Sequence, residues 1–121
     1  PEYMGAANYF WMLLNNERYA YSSIQKMELQ LDKGPILAEK KIKIDNTWSA
    51  YRLNYEVAKL GGKLYVDYLN IIFKTKNAVK RNIIRKNPKI YNRGLPKRKH
   101  AKEFMLKGKK WFHFKEIFFL H

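Results

Sequence analysis

Lysine and arginine carry most of the chemistry that this sequence offers. Of its 25 Lys and Arg residues, 15 lie between Lys74 and Lys110 (KTKNAVKRNIIRKNPKIYNRGLPKRKHAKEFMLKGKK), with Glu103 the one acid among them. Residues 74–121 hold 16 cations and 2 acids (net +14), against 3 and 4 in residues 1–37 (net −1) and 6 and 4 in residues 38–73 (net +2). Like charge at this density repels itself until a polyanion neutralises it, and nucleic acid is the commonest one. Each cation that meets a phosphate releases condensed counterion. The predicted phosphate contacts are therefore Lys74, Lys76, Lys80, Arg81, Arg85, Lys86, Lys89, Arg93, Lys97, Arg98, Lys99, Lys102, Lys107, Lys109 and Lys110. Nineteen Lys to six Arg favours point-charge contacts over bidentate base reading. Tyr91, His100 and Phe104 interleave with the charges and suit stacking on unpaired bases.

Other chemistry is sparse. Ser22, Ser23 and Ser49 have no histidine near them in sequence, so no nucleophile and base are paired. Glu28, Asp32, Glu39, Asp45, Glu56 and Asp67 have the spacing of ordinary solvated faces. Gly61-Gly62 is isolated, and Gly34, Gly94 and Gly108 lack the spacing of a phosphate cradle. His100, His113 and His121 lack metal-ligand spacing and there is no cysteine. The expectation is a protein that is not an enzyme, with no cofactor, no metal and no small-molecule substrate.

At 121 residues the chain has room for one core, and 46% hydrophobic content requires that a packed part exists. The apolar runs Tyr9–Leu14 and Tyr68–Phe73 fall far short of the roughly 20 residues of a membrane span, so no transmembrane segment is expected. No charged-then-apolar leader opens the sequence. Tyr9–Leu14 reads as a buried helix turn or a docking segment. From Glu17, the spacing of Tyr21, Ile24, Met27 and Leu31 predicts a helix, stopped by Asp32-Lys33-Gly34-Pro35. Ile36–Ile44 reads as a short strand or a loop. A second helix is predicted from Trp48, with Trp48, Tyr51, Tyr55 and Ala58 on its core stripe, Leu53, Val57 and Leu60 widening that stripe, and Gly61-Gly62 as its stop. Lys63–Lys86 is read as a further helix ended by Asn87-Pro88, with a strand as the alternative over Lys63–Phe73 because Leu64–Tyr68 and Ile71–Phe73 are strong strand formers. Pro88–Lys110 should be disordered or loosely extended in the absence of RNA. Trp111–His121 (WFHFKEIFFLH) must be covered by its own domain or by a neighbour.

These elements make a mainly α fold: a small helical domain over residues 1–86, a basic RNA-binding extension over 87–110 and an aromatic docking segment over 111–121, with a possible short β-hairpin. The predicted protein-docking residues are Phe10, Trp11, Trp111, Phe112, Phe114, Phe118 and Phe119.

Asn92–Lys99 (NRGLPKRK) resembles the RGLP-x-R signature near the end of the universal small-subunit ribosomal protein thirteen family. That resemblance implies rRNA contacts at Arg93, Lys97, Arg98 and Lys99. The family's Gly-Ile-Gly helix-turn-helix is not found here, and an aromatic end replaces its basic terminus. Small size, a pI near 10.0 and a long basic extension are similar to ribosomal proteins in general. The expected function is a structural constituent of a ribosome, with ribosomal RNA and neighbouring ribosomal proteins as partners. Abundant Lys, Asn, Ile, Phe and Tyr are the wording of an AT-rich genome and point to a mitochondrial ribosome, with a cytoplasmic ribosome as the alternative location. Two other functions remain open: a supernumerary subunit of a mitochondrial respiratory membrane complex, and a DNA-binding nucleoid protein.

Overall fold

The computed structural model describes residues 3–5, 7–29, 34–75 and 91–116. Their architecture is mixed α and β, not mainly α. Strand β1 (Tyr3–Gly5) leads into helix α1 (Asn8–Leu14), the antiparallel pair β2 (Tyr19–Gln25) and β3 (Ile36–Lys43), the long helix α2 (Ala50–Thr75), strand β4 (Tyr91–Arg93) and helix α3 (Arg98–Leu106).

The segment expected to be helical from Glu17 is β2. It pairs with β3 from Tyr19 opposite Lys43 to Gln25 opposite Ile36, with an irregularity between Ile24 and Gln25. Beyond the ladder, the Lys26 amide donates to the Pro35 carbonyl at 3.1 Å. Gly34 lies so close to the Lys26 carbonyl that a Cβ there would overlap it. The Gly34-Pro35 punctuation thus belongs to a strand connection, not to the end of a helix. Alternation along β2 turns Ala20, Ser22 and Ile24 towards α2, and Ala20 is wholly buried. Ala20 and Ser22 face inward and Tyr19 and Tyr21 outward, which inverts the usual apolar-in pattern and hides the strand from its local spacing.

Small inward residues let α2 lie close on the hairpin. A Cβ at Gly61 would stand 2.7 Å from Ser22 Oγ, so this glycine is a crossing point of helix and strand. The predicted stop at Gly61-Gly62 is accordingly not one: α2 runs through both glycines, merging the two predicted helices as far as Thr75. Burial of Ala50, Leu53, Val57, Leu64 and Tyr68 along one face outweighs the two glycines, at roughly 1 kcal/mol each. The predicted stripe is rotated, since Tyr51 and Ala58 are exposed and Trp48 and Tyr55 only partly buried.

The segment from Pro88 is also ordered where it is described. β4 pairs in parallel with β1, Tyr3 opposite Tyr91 and Gly5 opposite Arg93, and the Trp11 indole donates to the Gly94 carbonyl at 3.2 Å. Beyond it, α3 inserts Phe104 into the core, whose other members include Phe10, Trp11, Leu13, Leu14, Leu53 and Val57. Among the described residues no helix is long and apolar enough to cross a membrane.

Candidate functional site

Two concave surfaces flank α1. The first is a cleft of about 400 Å³ between α1 and the outward face of β2 and β3. Tyr9, Tyr19 and Tyr21 supply ring faces, Glu17 and Glu39 supply carboxylates, and Arg18 is the cation among its lining residues. At its inner end the Tyr3 hydroxyl donates to Glu17 Oε1 at 2.7 Å and accepts from Asn15 Nδ2 at 2.9 Å. Asn8 Oδ1 is buried at this cleft with no partner among the described residues. Burial pushes the Tyr9 hydroxyl above the ordinary tyrosine pKa. The cleft is therefore rich in hydrogen-bond acceptors, and it gathers carboxylates in a chain of net charge +15. Such a lining suits a small molecule that donates N–H or O–H groups.

The second is an apolar groove of about 550 Å³, lined by Tyr9, Phe10, Tyr51, Asn54, Trp111 and Phe112 among others. Its floor exists because the chain after α3 returns to the start of α2. The amides of Ala50 and Tyr51, which the helix itself leaves unpaired, donate to the carbonyls of Lys110 (3.0 Å) and Trp111 (2.8 Å). Ser49 completes the cap: its Oγ accepts from the Arg52 amide at 2.9 Å and donates to Glu116 Oε2 at 2.6 Å. Glu116 in turn accepts from the His113 amide at 2.8 Å. A buried carboxylate at a helix N-terminus is favourably placed in the helix dipole. Asp45-Asn46-Thr47, just ahead of this cap, forms a turn, with the Thr47 amide and hydroxyl donating to Asp45 Oδ1.

The residues predicted from sequence divide between these surfaces and the core. Phe10 and Trp11, expected to dock on neighbours, are buried in the chain's own core. Trp111 stacks on Phe10 with centroids 4.8 Å apart, while Phe112 and Phe114 are exposed. His100 and Phe104, expected to stack on bases, face inward: His100 meets the Trp11 ring edge-on at 4.9 Å and Phe104 is wholly buried. Lys97 is exposed at the N-cap of α3, Arg98, Lys99 and Lys102 are exposed on the helix, and after it Lys109 is partly buried and Lys110 exposed. Lys107 is held by Glu103 at 2.9 Å and by the Leu14 carbonyl at 3.1 Å. Lys74 is exposed in the last turn of α2, and Tyr91 and Arg93 are in β4. Lys76, Lys80, Arg81, Arg85, Lys86, Lys89, Phe118 and Phe119 lie outside the described residues. Among those described, no three His, Asp or Glu side chains converge as metal ligands would.

The cleft has no local signature in the sequence, since its residues come from β1, α1, β2, β3 and the α1–β2 connection and share no spacing. Tyr19 and Tyr21 flanking Ala20 were the available signal: they alternate as a strand does.

Comparison with known proteins gives the surfaces a context. Residues 1–69 match the family profile described as formyl transferase. The chain is 36% identical over 77 residues to the methionyl-tRNA formyltransferase of Prochlorococcus marinus (strain MIT 9215), covering 64% of this chain and 24% of the relative. It is 40% identical over 72 residues to the methionyl-tRNA formyltransferase of Dictyoglomus thermophilum, covering 60% and 23%. It is 31% identical over 70 residues to that of Clostridium tetani, covering 58% and 23%. The chain thus spans about a quarter of the length of these curated relatives. These matches overturn the expectation of a structural ribosomal protein, together with its rRNA and ribosomal-protein partners, its lack of a small-molecule substrate and its reading as a non-enzyme. They support neither a respiratory-complex subunit nor a nucleoid protein. The RGLP-x-R likeness spans too few residues to weigh against a match over 69.

Proposed function

This chain belongs to the formyl transferase family, and on that premise we propose that it serves the transfer of a formyl group to methionyl-tRNA. The observation that carries the proposal is the match over residues 1–69, which takes in α1, the β2–β3 hairpin and most of α2. In such a transfer the amino nitrogen of the aminoacyl group attacks the formyl carbon. A C–N bond forms, the bond from that carbon to the donor breaks, and the amine loses a proton. The reaction has two substrates, a small formyl donor and a polyanionic acceptor.

The electrostatics of the chain suit the acceptor. A net charge of +15, concentrated after residue 73, is what a tRNA-binding protein needs to offset phosphate repulsion. The same cations that suggested ribosomal RNA serve a tRNA backbone equally well, because phosphate contacts carry no information about which RNA is bound. The acceptor-rich cleft between α1 and the hairpin lies in the family segment and has the size of a small-molecule site, within the roughly 300–1,000 Å³ range.

The test is a transfer assay with methionyl-tRNA and an N-formyl donor labelled with carbon-14 in the formyl group. Label is expected to precipitate with the tRNA and to leave it as formylmethionine when the aminoacyl ester is hydrolysed. Label that stays with the donor at enzyme concentrations above that of the tRNA would overturn the proposal.

A further inference from the structure

Helix α3 lies outside the segment that matches the family, and nothing so far gives it a role beyond packing. Its inward side is formed by Phe104, wholly buried, with His100 and Ala101 partly covered beside it. Its outward side carries Arg98, Lys99 and Lys102, all exposed. These three are neighbours on a helix surface, at spacings i,i+4 and i,i+3. Glu103, the acid on this helix, is engaged by Lys107. Lys109 and Lys110 follow directly, and Lys110 hands the chain to the apolar groove through its carbonyl, which accepts from the amide of Ala50.

At that point the exposed side chains become aromatic. Trp111 is 45% exposed, Phe112 52% and Phe114 77%. The first is braced from below by Phe10 and Phe104, so that one ring face is fixed and the other side is open. Tyr51 and Asn54 of α2 also line this groove, and the latter carries an amide able to hydrogen-bond a base edge. Cations leading to exposed rings over an open apolar groove are the arrangement by which proteins hold unpaired nucleic acid, phosphates on the charges and bases on the rings. A solvated charge run requires no aromatic continuation, and an aromatic patch alone would equally suit a protein neighbour. It is the adjoining cations that select a polyanion.

We propose that the outward face of α3 and the groove lined by Trp111 and Phe112, with exposed Phe114 following them in the chain, form a track for single-stranded RNA, taking the unpaired 3′ end of the tRNA. Arg98, Lys99 and Lys102 neutralise successive phosphates, and Trp111 and Phe112 stack with bases in the groove. The identification of the strand as tRNA rests on the proposed function; single-strand preference does not.

Fluorescence anisotropy with a labelled 12-nucleotide single strand, the matching 12-base-pair duplex, and tRNA with and without its unpaired 3′ nucleotides tests the track. The intact chain is expected to prefer the single strand to the duplex and to lose affinity for the trimmed tRNA. The triple variant R98Q/K99Q/K102Q should weaken all of these and make the slope of log K against log salt shallower by about 2–3, at roughly 0.7–0.9 per phosphate. The double variant F112A/F114A leaves the braced Trp111 in place, and should lose about 10–100-fold in single-strand affinity with duplex affinity unchanged. Equal loss for single strand and duplex in F112A/F114A, or no loss, would overturn the proposal. So would sedimentation showing that the free protein dimerises through Phe112 and Phe114. Formyl transfer is assayed in parallel. Single-strand binding without transfer defeats the proposed function and leaves the track standing, whereas transfer without single-strand binding defeats the track alone.

Discussion

Tyr3 shows how much one residue can tie together. It is nearly buried, pairs β1 with β4 through its backbone, and through its hydroxyl joins Glu17 to Asn15 at the floor of the cleft. Tyr3→Phe removes both hydroxyl bonds while keeping the ring, and should cost about 1–3 kcal/mol in urea unfolding, one of the bonds being to a carboxylate. Phe104 is the corresponding anchor for α3, stacked on Phe10 with centroids 4.4 Å apart. Phe104→Ala should cost about 3–5 kcal/mol by the same measurement. Tyr9 has a signature in pH. Its folded-state pKa is raised, so its contribution to stability is fully present below the ordinary tyrosine value and is lost as pH rises through the folded one. Between about pH 8 and about pH 11 the urea midpoint of the wild type should therefore fall further than that of Tyr9→Phe. Of these three residues, only their apolar character was legible in the sequence. Their partners come from segments 12 to more than 80 residues away, and no local spacing reports such distances.

Elements were legible in proportion to how much of their stability is local. The helical character of residues 48–60 could be read because α2 is amphipathic along its own length. The hairpin could not, because β2 puts Ala20 and Ser22 inward and Tyr19 and Tyr21 outward. The glycines on α2 make this testable. A Cβ at Gly62 meets nothing within 4 Å, whereas one at Gly61 meets Ser22 Oγ. Gly62→Ala should raise stability by about 0.5–1 kcal/mol through helix propensity, and Gly61→Ala should gain less because the hydroxyl must move. Equal gains in urea unfolding would mean that α2 does not cross β2 at this point. The end of α2's burden of unpaired amides is likewise a tertiary matter, met by carbonyls of Lys110 and Trp111 some 60 residues further along.

At the scale of the whole molecule, charge dominates. With net +15, the free protein repels itself, and added salt should raise its melting temperature by screening that repulsion. The same salt should weaken tRNA binding, since each phosphate contact gives up released counterion. Opposite responses of the melting temperature and of tRNA affinity across one salt series would show that the charge is held for a polyanion. If both rose together, the cations would not be contacting phosphate.

By itself, the sequence determined that this chain carries a net charge of +15 concentrated after residue 73, because formal charge is summed residue by residue and needs no fold to be counted. It also determined that an apolar core exists, and that the run Trp111–His121 would need cover from its own domain or from a neighbour. Which polyanion such a charge would suit is beyond composition, since phosphate is the same on every RNA, and only the family match over residues 1–69 turns the proposal from rRNA to tRNA. Tertiary structure decided which aromatic residues are free to act. Phe10, Trp11, His100 and Phe104 are spent on the core, and Trp111, Phe112 and Phe114 remain exposed. Burial depends on which surfaces of distant segments meet, and that meeting is set by close approaches such as Gly61 on Ser22, which no local pattern encodes.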